Sequence, residues 1–289
     1  MMKSVNRNLI LLGCLMLIFA LAACGGTGKT SPSTSPSSSS SQEASASDAP
    51  SNGAAAPSER AELTISAAAS LTDALGELQK AYEAANAGVK LSFNFGASGA
   101  LQQQIEQGAP ADLFLSASPK NMQALVDKGL IEEQHNLLKN ELVVVVPEDG
   151  KAAVKKPEDL SGADVKKVAI GIPDSVPAGG YAKEALTAAG LWDGLQSKLV
   201  QGKDVRQVLQ YVETGNADAG FVYKTDAMSS DKVQVVFAVD QALYKPIVYP
   251  VGVVKATKHA EAAEAFYQYL QTSEAIAIFG KYGFGAAGE

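Results

Sequence analysis

A short apolar strand, Leu63-Thr64-Ile65, runs through Ser66-Ala67-Ala68-Ala69-Ser70 into a helical stripe of Leu71, Leu75, Leu78 and Tyr82. A period of two giving way to a period near 3.6 within a few residues specifies a strand, a tight turn and an amphipathic helix. Ser70 stands where the turn becomes the helix, with Asp73 three residues on. That spacing predicts a helix N-terminus with a serine cap and an acidic first turn. A helix start leaves backbone N–H groups unpaired at the positive end of the macrodipole, and can hold an anion without a charged side chain.

The same alternation continues along the chain and predicts an α/β fold. Val89–Phe95 alternates apolar and polar residues and ends at Gly96-Ala97-Ser98-Gly99, after which Leu101–Gln107 reads as helix. Leu113-Phe114-Leu115 is a strand, and Pro119 opens a helix that stops near Gly129, with proline at the start and glycine at the end. Leu142–Val146 is an unbroken aliphatic run closed by Pro147, the pattern of a strand buried on both faces. A second long strand, Tyr249–Val254, comes late. Between the two lie further strands (168–172, 219–223, 233–238) and helices. This predicts an inserted lobe at 144–246, with 61–143 and 247–289 forming the other lobe and the two long strands as crossovers. Helices at 260–270 and 273–279 return to the first lobe.

The N-terminal sixty residues follow different rules. Lys3 and Arg7 precede an apolar run from Leu9 to Ala23, which ends in Leu21-Ala22-Ala23-Cys24. A basic start, a short apolar core and small residues before a cut define a secretory signal over 1–23 rather than a membrane span. Leu-Ala-Ala-Cys resembles the lipobox of bacterial lipoproteins, which implies cleavage before Cys24 and a lipid anchor on that residue. Residues 24–60 are dominated by Ser, Pro, Ala, Gly and Thr. They cannot bury enough apolar surface to offset ordering entropy, so a flexible tether reaching roughly 30–36 Å is expected.

Composition removes several function classes. The chain carries 24 Lys plus Arg against 31 Asp plus Glu. Cleavage before Cys24 removes Lys3 and Arg7, leaving 22 against 31, a balance of −9. That charge argues against nucleic acid and against an anionic membrane surface as partners, though not against a small anion held by local dipoles. Both cysteines, Cys14 and Cys24, precede the folded part, which is therefore expected to hold no disulfide and no thiolate metal site. The two histidines, His135 and His259, stand in no metal-ligand spacing and are expected on a surface helix or loop. No Gly-x-Ser-x-Gly elbow accompanies them, so a secreted α/β enzyme lacks its nucleophile and base. No catalytic residue and no cofactor is expected.

Four places share one design, a small or polar residue at a helix start: Ser70; Ser98 beside Gly99; Pro177-Ala178-Gly179, where Ala178 offers the first free N–H; and Asp204-Val205-Arg206, where Asp204 reads as the cap and Val205 as the first helical residue. Tyr223 ends the strand Ala219–Val222, so its hydroxyl falls at the C-terminal edge where α/β ligands bind. Each has a plainer role as cap, turn or core aromatic.

Together with Ala67–Thr72, Gly108–Phe114, Val176–Gly179, Tyr181–Leu186, Val222-Tyr223 and the ending Phe279–Phe284, these residues carry a resemblance. From 62 to 284 the chain resembles the substrate-binding proteins of bacterial ABC molybdate transporters. The resemblance implies a two-lobed, periplasmic-binding-protein-like fold of type II. It implies molybdate, with tungstate as a competitor, held by Ser70, Ser98, the N–H groups of Ala178 and Val205, and the hydroxyl of Tyr223. It implies an ABC permease as partner and a monomeric, lipid-anchored protein on the outer face of the cell membrane. Here Gly96–Ala100 holds fewer serines than the family pattern, so a donor beside Ser98 is expected to be missing. Another oxyanion such as sulfate, or a sensor lipoprotein, are the competing readings.

Overall fold

The computed structural model describes residues 60–150 and 153–288. The signal peptide, Cys24 and nearly all of the tether lie outside the described residues.

Strand β1 (Ala61–Ala68) passes through a 3₁₀ turn at Ala69–Leu71 into α1 (Thr72–Ala85). The α1 stripe buries Leu71, Leu75 and Leu78 completely and Tyr82 to 4 % exposure; each such leucine contributes about 1.5–3 kcal/mol. There follow β2 (Val89–Gly96), α2 (Ser98–Glu106), β3 (Leu113–Leu115), α3 (Pro119–Asp127) and β4 (Ile131–Asn140). The chain then enters a second sheet with β5 (Leu142–Pro147), β6 (Val168–Gly171), α4 (Pro177–Ala188), α5 (Trp192–Leu195), β7 (Leu199–Gly202), α6 (Val205–Glu213), β8 (Ala219–Tyr223), α7 (Lys224–Met228) and β9 (Val233–Ala238). It returns with β10 (Ile247–Val254), α8 (Ala260–Leu270), α9 (Ser273–Lys281) and the short β11 (Gly285–Ala286).

Two sheets result, one per lobe. The first has the order β11-β4-β10-β3-β1-β2 and the second β7-β6-β8-β5-β9. In the first, β1 runs parallel to β2 and β3, while β10 runs antiparallel to β3 and β4. In the second, β6 runs parallel to β7 and β8, while β5 runs antiparallel to β8 and β9. Each lobe thus contains three neighbouring parallel strands whose C-terminal ends lead into turns or helices. Such ends are where ligands meet open α/β sheets.

The chain crosses between sheets at Glu141 and again in the stretch 239–246. The first crossing falls ahead of residue 144, because β5 pairs with β8 from Leu142 onward. As the aliphatic run implied, Leu142–Val146 is buried throughout. The polar stretch Ile131–Asn140 shows no clean alternation in sequence, yet it forms β4. Its backbone is held by β10 and β11 on either side, and His135 is an exposed strand residue opposite Val251 rather than part of a helix or loop.

One glycine fixes how α4 sits on the second sheet. A Cβ on Gly179 would stand 2.0 Å from the carbonyl oxygen of Gly171, at the end of β6. No side chain fits there, so the first turn of α4 rests directly on the strand end. Overpacking of this kind costs about 1–3 kcal/mol. Gly179→Ala is therefore expected to lower the thermal midpoint by roughly 3–10 °C, whereas Gly194→Ala, with nothing within 4 Å of the added carbon, is expected to leave it within about 2 °C. Scanning calorimetry on the two variants checks this; equal midpoints would remove the packing argument.

Candidate functional site

The five residues singled out in sequence, Ser70, Ser98, Ala178, Val205 and Tyr223, line one narrow cavity of about 10 Å³ between the lobes. Its remaining wall is small or apolar, with Ala68, Ala97, Ala117, Val176 and Pro177 among the contributors, and no charged side chain lines it. Each of the six parallel strands delivers one part of the wall. Ser70 follows β1, Ser98 follows β2 and Ala117 follows β3; Ala178 follows β6, Val205 follows β7, and Tyr223 ends β8.

The serines differ from the sequence expectation. Ser70 lies inside the 3₁₀ turn, Leu71 occupies the cap position of α1, and no side chain caps that helix. Ser98 is the first residue of α2, capped in position by Ala97, again without a side-chain cap bond. Both hydroxyls are turned away from their own helices because tertiary partners hold them. Ser98 Oγ accepts a hydrogen bond from the Ala117 amide at 2.9 Å. Ser70 Oγ lies 2.9 Å from Tyr249 Oη. Gly99 also differs: its N–H donates to the carbonyl of Ser175 at 3.0 Å, and a Cβ there would stand 2.7 Å from the same oxygen. Its bareness serves the approach of the second lobe rather than a ligand.

The second lobe follows the expectation. Pro177 is the first residue of α4 and Ala178 the second. Asp204 caps α6, its carboxylate accepting from the Gln207 amide at 2.8 Å, with Val205 as the first helical residue. The N–H groups of Ala178 and Val205 belong to first turns, which have no intrahelical acceptor. Tyr223 is 1 % exposed, and its hydroxyl is buried without a hydrogen-bond partner. Tyr249 stands beside it, ring centroids 5.8 Å apart, but the Tyr249 oxygen is engaged by Ser70 and by Asn140 Nδ2 at 3.2 Å. Burial holds both phenols well above the ordinary tyrosine value, so each keeps its proton at neutral pH.

The polar groups that reach the cavity are thus hydroxyls and helix-start amides, and every one can donate. Among the described residues no cluster of His, Cys, Asp or Glu is arranged to hold a metal ion. No described helix is long and apolar enough to cross a membrane. Tyr249, Asn140 and the Ala117 amide were not singled out in sequence: Tyr249 reads as one apolar residue of a strand, and Asn140 closes a stretch with no pattern.

The cation that follows Val205 in the chain is turned elsewhere. Arg206, on α6, places one terminal nitrogen 2.6 Å from Asp73 Oδ2 on α1, across the cleft, and the other 3.0 Å from Ser229 Oγ. Its Nε lies 2.8 Å from Asp226 Oδ1, yet the two atoms are not aligned for a hydrogen bond. Asp226 is fully buried, and its other oxygen accepts from the Tyr223 amide at 3.2 Å. Burial raises the Asp226 carboxyl to about 6, outweighing the opposing pull of Arg206. Because the folded chain holds this proton more tightly than the unfolded chain, the buried charge counts against folding at pH 7. That penalty is relieved as pH falls through about 6 towards the unfolded value near 4. Asp226→Asn is expected to melt above the wild type at pH 7.5, with the gap narrowing by more than half at pH 4.5. Thermal melts at the two pH values decide it; a pH-independent gap would show that the carboxyl does not titrate in this window.

Comparison with known proteins gives a consistent picture. Residues 63–285 match the family described as bacterial extracellular solute-binding protein. YvgL of Bacillus subtilis, named as an ABC transporter substrate-binding lipoprotein, is 53 % identical over 230 residues, covering 79 % of this chain and 88 % of that protein. The molybdate-binding protein ModA of Haemophilus influenzae is 41 % identical over 233 residues, covering 78 % and 91 %. Among solved structures, the periplasmic molybdate-binding protein of Azotobacter vinelandii superposes with a TM-score of 0.70 at 25 % identity, covering 77 % of this chain and 98 % of that one.

Proposed function

The chain belongs to the bacterial extracellular solute-binding protein family, and we propose that it captures molybdate between its lobes and hands it to an ABC permease. It is a binding protein of the ABC transport class, not an enzyme, as its relatives are. One observation carries the choice of ligand: a small cavity between the lobes whose polar groups are all able to donate and whose wall bears no charge. Molybdate at neutral pH is a tetrahedral dianion with four acceptor oxygens and no proton. Ser70, Ser98, the amides of Ala178 and Val205, and Tyr223 would each donate to it. A hydrogen bond to a charged group contributes about 1.5–3 kcal/mol net, so five can support tight binding after the entropy of association is subtracted.

The unpartnered Tyr223 hydroxyl supports this reading directly. A buried donor without an acceptor costs about 1–3 kcal/mol, and an oxyanion in the cavity would relieve it. Selectivity follows from the same groups. Phosphate carries a proton near pH 7, and a ring of donors offers that proton no acceptor. Sulfate is smaller, and fixed donors would reach it only through longer, weaker bonds. Tungstate matches molybdate in size and charge and is expected to compete.

The remaining parts of the reading concern delivery. The lipobox-like Leu21-Ala22-Ala23-Cys24 and the tether to residue 60 favour a monomer leashed by a lipid to the outer face of the cell membrane. Donors from both lobes would draw the lobes together around the anion, by hinge motion at the two crossings.

Calorimetric titration of the folded protein with molybdate, tungstate, sulfate and phosphate tests the proposal. Molybdate and tungstate are expected to bind with similar affinity and to exclude each other, and sulfate and phosphate to bind at least a hundredfold more weakly. Ser98→Ala and Tyr223→Phe are each expected to weaken molybdate binding at least fivefold without a loss of fold. Unchanged affinity in both variants would refute the site, and no heat with any oxyanion would refute the function.

A further inference from the structure

A hydroxyl has one proton, and for Ser70 its direction matters. Its oxygen and that of Tyr249 are buried 2.9 Å apart, and a single proton lies between them. If Ser70 gives that proton to Tyr249, it shows the cavity a lone pair, which an anion would be repelled by. If Tyr249 gives it, the Ser70 proton remains free for the cavity.

Asn140 settles the direction. The Glu141 N–H can only donate, and at 2.9 Å it faces one end of the Asn140 side chain, so that end is the carbonyl oxygen. The other end is therefore the NH₂ group, which donates to Tyr249 Oη at 3.2 Å and to Thr225 Oγ1 at 3.0 Å. Tyr249 accepts a hydrogen bond from the Asn140 NH₂, which can take no proton back, and among the described residues Ser70 Oγ is the one oxygen hydrogen-bonded to Tyr249 Oη, so the phenol proton goes to Ser70. We infer that Asn140 and Tyr249 form a proton-ordering relay that fixes Ser70 as a donor to the oxyanion. They are positioning residues, and the inference rests on the oxyanion reading of the cavity.

The placement gives the relay a second role. Asn140 is the last residue of β4, immediately before the first crossing between lobes, and Thr225 lies on α7 in the second lobe. The relay that orders the Ser70 proton is thus anchored on both sides of the crossing.

A double-variant cycle read by calorimetry with sodium molybdate tests the relay, with Ser70→Ala as the reference. In Asn140→Asp the Glu141 amide keeps its acceptor, but the other oxygen can now only accept. Tyr249 turns its proton to it, takes the Ser70 proton on its own oxygen, and the cavity loses a donor. A loss of tenfold or more is expected. Tyr249→Phe removes the relay and leaves Ser70 less firmly held, for a loss of about threefold. In Asn140→Asp/Tyr249→Phe the new carboxylate has no phenol through which to reverse Ser70, so the loss is expected to stay near threefold.

Losses that multiply to about thirtyfold in the double variant would assign the effect to charge alone and overturn the relay. Wild-type affinity in Asn140→Asp, with Ser70→Ala weakened, would overturn the relay and leave the oxyanion site standing. Absence of molybdate binding by the wild-type protein would overturn both. If circular dichroism shows that Asn140→Asp does not fold, Asn140→Ala replaces it. Its loss of about fivefold is then expected to shrink to the Tyr249→Phe level in the double variant, and multiplication of the two losses again overturns the relay.

Discussion

A cavity that offers protons and no charge must be built from groups that carry a proton at neutral pH and have nowhere else to put it. Hydroxyls and first-turn amides are two kinds that a protein can supply at no cost in net charge. The fold supplies both by one device, used six times. Strands β1, β2 and β3 of one sheet and β6, β7 and β8 of the other point their C-terminal ends at the same small space. At five of these ends a helix start or a strand-terminal side chain becomes a donor, and the sixth, after β3, supplies the Ala117 amide that holds Ser98. The parallel pairing inside each sheet is what brings the three ends level, and the two crossings are what bring the sheets face to face.

The cations show how the same arrangement treats charge. Arg206 leaves the first turn of α6, one residue after Val205. Its guanidinium bridges Asp226 of its own lobe and Asp73 of the other. The pair with Asp73 is part-exposed, so it is worth little by itself and weakens with salt. Asp226 is the opposite case: it is fully buried and poorly aligned with Arg206, and burial dominates its proton affinity. Cationic attraction is therefore directed to the seam between lobes, and the cavity is left to neutral groups.

Much of this was legible in sequence because it rests on local rules. The α1 stripe follows from helical spacing, Pro177 from the missing N–H that suits a first helical position, and Asp204 from the geometry of an N-cap. Tyr223 follows from the length of its strand. What sequence missed depends on partners far along the chain. Ser70 and Ser98 occupy helix starts but do not cap, because Tyr249, 179 residues away, and the Ala117 amide compete for their oxygens. Gly99 serves a contact between lobes because the Ser175 carbonyl arrives from the other lobe. The strand β4 is held by its neighbours' hydrogen bonds rather than by its own pattern, so Asn140, its last residue, carried no signal.

The contrast between the two serines shows why a second layer is needed. Ser98 accepts from a backbone amide, which can only donate, so that bond has one direction and never takes the Ser98 proton. Ser70 meets another hydroxyl, and two hydroxyls can order their protons either way. A site made of neutral donors is vulnerable at such a point, since one reversed proton turns an attraction into a repulsion without moving a heavy atom. A side-chain amide whose oxygen is pinned by a backbone N–H removes the ambiguity. It does so without bringing a charge near the cavity. A lysine would also present only protons to Tyr249, but it would place a full charge beside a cavity whose wall otherwise carries none.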